Sequence, residues 1–186
     1  MVSKRQKIVV IVVVIVLALT GIVYLMLPQP SPETPSQVMI LKASDIGIEW
    51  QQSPGEGNLA LLGDTSGEIS QSARGFWTQN ATDETPEFLI QLVAFDTVAN
   101  CSAAFESSYS SYASSSANYS NVPIGDRAIY VEHAGVLPVY MVMKGSILCW
   151  ISDLHIGYPL VDSWWANVML NIVHLQVNKI DQHLES

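Results

Sequence analysis

The chain opens on a block in which polar and apolar positions do not alternate at all. Ile8 to Leu27 holds twenty residues without a charge, fifteen of them Ile, Leu or Val. At about 1.5 Å per helical residue, such a run crosses a hydrocarbon core about 30 Å thick. Its β-branched bias disfavours helix in water, but in lipid the backbone must bond to itself and helix wins. Beyond Gln37 the pattern changes to short apolar stretches broken by Gly, Pro and polar residues. Phe88–Phe95 is apolar on both faces apart from Gln91, the pattern of a central strand covered twice. Glu68–Asn80, Arg127–His133, Val139–Lys144 and Ser146–Asp153 read as further strands, the last two joined by a hairpin at Lys144-Gly145. Asp96 or Thr97 caps a helix reaching about Tyr112, with Cys101, Ala104, Phe105, Tyr109 and Tyr112 near one face. A second long helix covers Val161–Leu184, striped by Val161, Trp165, Val168, Ile172 and Leu175, with Trp164, Met169 and Val173 beside them. A short turn or helix capped by Ser44 or Asp45 leads to Trp50, and the chain from Ser114 reads as an exposed loop. Strands, helix, three strands, helix is an order without βαβ alternation. The expected fold class is α+β: an N-terminal transmembrane helix, then an antiparallel sheet packed with two main helices.

The leader divides the chain. Residues 1–7 are expected to form a cytoplasmic tip, 8–27 a single transmembrane helix, 28–36 a linker, and 37–186 an extracytoplasmic domain. Lys4, Arg5 and Lys7 precede the apolar run, and Lys42 is the only cation in the first stretch after it. The positive-inside bias then keeps the N-terminus in the cytoplasm and sends the domain outside the plasma membrane. A cleaved signal peptide is the rival, but its small-residue candidate, Ala18-Leu19-Thr20, lies inside the run rather than at its end. The run holds no ionisable residue, so it reads as a tether and not a path for ions. Pro28, Pro30, Pro32 and Pro35 favour an extended, semi-rigid spacer.

Charge narrows the partners. Three of the eight Lys and Arg precede the leader, leaving five against all seventeen acids, a net charge of −12. That argues against nucleic acid and against direct contact with anionic headgroups. Membrane contact is expected through residues 8–27 alone, and the domain's partner to be an envelope protein or ligand.

The two cysteines, Cys101 and Cys149, sit where an exported domain can keep a disulfide. A bridge would close 48 residues and contribute about 4 kcal/mol on the chain-entropy account. Two buried thiols are the alternative, since Cys packs well as a small apolar residue; the bridge is slightly favoured. Acceptor sequons occur at Asn80, Asn100 and Asn118, of which Asn80 and Asn118 fall in polar stretches and are the better glycosylation candidates.

Candidate chemistry is thin. Asp153 and His155 would share one strand face, but a metal site needs more than a pair, and no His-x-x-x-His or Cys-x-x-Cys accompanies them. No Gly-x-Ser-x-Gly elbow and no phosphate-cradling glycine loop occurs. Gly125-Asp126 reads as a turn whose carboxylate bonds local backbone. Trp50, Trp77, Trp150, Trp164 and Trp165 could line a groove, though core packing accounts for most of them. Adjacent Trp164 and Trp165 cannot both face inward, so Trp164 joins Tyr109, Tyr112 and Tyr119 as a candidate binding surface.

Gly47 to Trp50, a strand followed by a helix near Ala103, Gly125-Asp126-x-Ala128, the Lys144-Gly145 hairpin and a terminal helix together resemble small exported α+β domains of the photosystem PsbP-like type. The resemblance covers about Leu41 to Leu184 and implies an accessory or binding role, with no catalytic residue carried over. The expected function is a single-pass, membrane-anchored, non-enzymatic binding domain without catalytic residues, metal or cofactor. The alternative is an envelope hydrolase using His133, His155 and Asp153.

Overall fold

A strand that is apolar on both faces must be covered on both, and that requirement shapes this domain. The computed structural model describes residues 32–52, 66–78, 87–114, 118–133, 136–154 and 163–185. One compact unit runs from Thr34 to Ser186. Two short helices come first, α1 (Pro35–Met39) and α2 (Ala43–Ile46). Strands β1 (Trp50–Gln52), β2 (Glu68–Thr78) and β3 (Phe88–Phe95) follow, then helix α3 (Val98–Ser114). Strands β4 (Asn118–Asn121), β5 (Arg127–His133), β6 (Val136–Lys144) and β7 (Ile147–Asp153) lead to the long helix α4 (Ser163–Leu184). The seven strands form one sheet in the order β1-β2-β3-β7-β6-β5-β4. Every pairing is antiparallel. The α+β class and the antiparallel sheet expected from the sequence are therefore present. Among the described residues no helix is long and apolar enough to cross a membrane, and residues 8–27 lie outside them.

The two long helices lie on opposite faces. On one face Phe88, Ile90, Leu92 and Ala94 of β3 pack with Trp165, Met169, Ile172 and Val173 of α4. On the other, Val93 and Phe95 pack with Cys101, Ala104 and Phe105 of α3. Alternation along each strand sends neighbouring side chains into different cores.

That geometry overturns the disulfide expected between Cys101 and Cys149. Cys101 belongs to the α3 core, whereas Cys149, opposite Leu92 and Val142, belongs to the α4 core. Helix α3 does lie against the β6–β7 hairpin, but the sheet stands between the two sulfurs. Both thiols are free and buried. Burial and, secondarily, Asp126 push Cys101 up to about 12 from its ordinary value near 9, and burial raises Cys149 too. The folded state thus keeps protons that the unfolded state has released above pH 9. Stability is expected to fall as pH rises from 9 to 12, by up to about 1.4 kcal/mol per pH unit for each thiol. Urea melts of the wild type and of Cys149→Ala across that range check this; an equal slope in both overturns it. Thiol titration in denaturant should also give the same two thiols with and without reductant.

Other boundaries shift for local reasons. The compact unit that holds the sheet begins at Thr34, so residues 34–36 of the expected linker belong to it. Proline is tolerated at the first position of a helix, and Pro35 starts α1. The backbone N–H of Thr34 donates to Gln37 Oε1 at 2.7 Å. Helix α2 starts at Ala43, so Asp45 lies inside it and accepts from the Lys42 N–H at 2.8 Å; neither Ser44 nor Asp45 is its cap. Asp126 bonds a distant turn rather than its own, accepting from the Gly145 N–H at 2.7 Å. Gly125 and Gly145 supply the positive φ that both turns need. At Gly125 a Cβ would come within 2.7 Å of the Met143 carbonyl oxygen. Lys144 ties this corner to α4 through Asp181 at 3.1 Å.

The buried stripe of α4 is also rotated from the expected one. It runs Trp165, Met169, Ile172, Val173, Gln176, Val177, Ile180, while Leu175 is 37 % exposed. Gln176 is fully buried because its amide serves the backbone of an incoming segment. Its Nε2 donates to the Met39 carbonyl at 2.9 Å, and its Oε1 accepts from the Leu41 N–H at 3.0 Å. Arg74 donates from the sheet side to the carbonyls of Ile40 and Leu41. Ser36 completes the attachment, its hydroxyl 3.1 Å from that of Ser72.

Candidate functional site: a tyrosine-walled cleft beside an edge strand

Helix α3 crosses the middle of the sheet and leaves the β4–β5 end of its face only partly covered. The gap is a cleft of about 450 Å³. Phe105, Glu106 and Tyr109 of α3 form one wall. Ile129 of β5 forms the floor, and Asn121, Val122, Arg127 and Ala128 complete the lining. A volume of this size lies in the range of small-ligand pockets.

The wall is organised by one cation and a pair of phenols. Arg127 donates to Glu106 at 2.7 Å, and its guanidinium lies 4.3 Å from the centroid of the Phe105 ring. Both charges are substantially exposed, so the pair orients side chains more than it stabilises the fold. Tyr109 meets Tyr119 of β4 edge to face, with ring centroids 5.1 Å apart. The hydrogen bond with Tyr119, followed by partial burial, raises the Tyr109 pKa above its usual value near 10. Tyr109 therefore stays a neutral donor and acceptor at physiological pH.

The sequence-derived binding residues therefore separate. Tyr109 and Tyr119 come together at the cleft; Tyr112, which like Tyr109 packs against the α3 core, is not in the cleft's lining, and burial raises its pKa. Trp164 begins α4, but its side chain lies outside the described residues. Trp50, Trp77, Trp150 and Trp165 are all buried, so core packing accounts for these four. Of the sequons, Asn80 lies outside the described residues. Asn118 is exposed, but in strand β4 rather than a loop. Asn100 sits in the first turn of α3, where its Nδ2 donates to Asp96 at 2.8 Å. The same amide presses on Gly67, where a Cβ would approach it to 2.3 Å, so a glycan at Asn100 has to displace this packing.

The hydrolase residues do not assemble among the described atoms. Asp153 is 3 % exposed and accepts from the Trp165 indole N–H at 2.9 Å. His155 and the side chain of His133 lie outside the described residues. Among the described residues no group of three His, Cys, Asp or Glu is placed to hold a metal ion.

Sequence reasoning missed Phe105, Glu106, Asn121 and Arg127 as members of one site. Arg127 is one of only five cations beyond the leader, and that scarcity was the available signal. Comparison with protein families, with characterised proteins and with solved structures finds no match.

Proposed function

We propose that the chain is a single-pass anchored domain that binds an envelope ligand in the cleft between α3 and β4–β5. The cleft is the observation that carries this reading: about 450 Å³, walled by Tyr109 with Tyr119 against it, and with Arg127 over the Phe105 ring at its edge. These groups recognise; they do not form a nucleophile and base pair. The apolar run 8–27 and the cations before it supply the anchor and its direction.

Two measurements test the two halves. Glu33 is exposed immediately before the folded unit, whereas Ser36 is buried. A Glu33→Cys variant is expected to react with an impermeant maleimide on intact cells; labelling only after lysis overturns the orientation. A photo-crosslinking residue at Tyr119, which is 47 % exposed, is expected to give adducts that the same residue at Leu184 does not. Equal adducts at both positions overturn the cleft as the ligand site. Tyr119→Ala should change stability by less than about 1 kcal/mol, as for exposed positions generally.

A further inference from the structure

We infer that the cleft's occupant is an extended, basic polypeptide segment that adds to the sheet as a strand beside β4. This rests on the binding reading above and names the ligand class for that site. The first observation is the hydrogen-bond phase of the edge strand. Val122 N–H donates to the Ala128 carbonyl at 3.0 Å, and β4 pairs with β5 as Asn121↔Ile129, Ser120↔Tyr130 and Tyr119↔Val131. In an antiparallel ladder, inward-bonded pairs alternate with outward ones. Val122, Ser120 and Asn118 therefore turn their backbone groups toward β5, and Tyr119 and Asn121 turn theirs away from it. Strand β4 is the edge of the sheet, and all four of its residues are exposed. It carries no proline or lysine, the usual protections of such an edge.

The second observation is that these same two residues adjoin the cleft. Asn121 lines it, and Tyr119 meets edge to face the Tyr109 that walls it. A strand laid along β4 thus places alternate side chains beside the tyrosine pair. Main-chain bonds then supply affinity and the cleft supplies selectivity, which is how strand addition divides these tasks.

Charge selects the peptide. Glu132 is exposed directly across from Asn118. Glu106 on the cleft wall and Asp126 at the turn beyond β4 are each paired with a cation, Arg127 and Lys144, so those pairs cancel and the local excess is that of Glu132. The whole domain adds an acidic field from sixteen Asp and Glu carboxylates against five cations. A basic segment is drawn to this edge, and an acidic one is repelled.

The test uses the full chain in mild detergent and three pools of twelve-residue peptides. One pool fixes lysine at alternate positions and randomises the rest, the second replaces lysine by glutamate, and the third N-methylates the lysine pool at alternate amides. The lysine pool is expected to slow hydrogen exchange at the Tyr119 and Asn121 amides at least tenfold; the other two should not. Asn121→Pro deletes one outward N–H while leaving the inward ladder bonds, and should weaken binding at least tenfold. Unchanged exchange at the β5 amides shows that this variant is folded; if they are lost, Tyr119→Ala takes its place with the same expectation. Equal protection by the glutamate or N-methylated pool, or no protection by any pool, overturns the inference. Shifts at the Tyr109 ring without amide protection overturn strand addition but leave the cleft as a ligand site. Crosslinking at Tyr119 judges the cleft independently.

Discussion

Replacing Gln176 by leucine should destabilise the folded domain by about 3 kcal/mol, even though it puts an apolar residue into an apolar core. The side chain is fully buried on α4 and satisfies two backbone groups, the Met39 carbonyl and the Leu41 N–H. Leucine matches its bulk approximately but bonds neither. Each buried backbone group left without a partner costs about 1–3 kcal/mol, which outweighs the gain from added apolar surface. The melting temperature should drop by about 10 °C in a domain of this size. Gln176→Glu should be at least as damaging: it can accept from Leu41, but it brings a carboxylate against the Met39 carbonyl oxygen. Calorimetry on the three proteins decides the matter. A leucine variant as stable as the wild type would show that these hydrogen bonds contribute nothing net.

Phe88→Ala is expected to cost more, about 4 kcal/mol, and to leave much of the chain unfolded at 37 °C. Phe88 is fully buried at the start of β3. Its ring stacks on Phe76 with centroids 4.9 Å apart and meets Trp50 edge to face at 5.0 Å. Trp50 in turn lies 6.4 Å from Trp165. Truncation removes the shared member of two ring contacts in a region bounded by sheet and helix, where collapse is restricted. Phe88→Leu, which keeps most of the volume, should cost about half as much. Chemical denaturation with tryptophan emission reads both variants; equal losses would mean that volume is not what matters at this position.

Much of this fold was legible because its main elements repeat a simple period. β3 was visible as a strand covered twice, and the helix pair on opposite faces meets that demand. α3 and β5 fell within a residue or two of their expected bounds. What escaped was short or polar. β1 has three residues, and the sequence of β4 is Asn-Tyr-Ser-Asn, so neither has an apolar alternation to betray it. α1 was hidden by Pro35, which reads as linker and acts as a helix start. The cysteines were misjudged because a strand residue's face depends on register, which only pairing decides. Gln176 was passed over because hydropathy places glutamine outside, and its partners lie 135 and 137 residues away. In the cleft, the tyrosines stood out by composition. Glu106 and Arg127, twenty-one positions apart, meet only because the fold brings the start of β5 against the middle of α3.

The clamp on Met39–Leu41 also has a consequence for biogenesis. Their amide partner on α4 is synthesised 135 to 137 residues after them. The sheet has the same dependence, because β3 waits for β7 before either of them becomes interior. Non-local pairing of this kind slows folding, and here it postpones the final commitment until α4 has emerged. A nascent chain shortened ahead of Gln176 should remain protease-sensitive throughout, and resistance should arrive in a single step when the last helix is released.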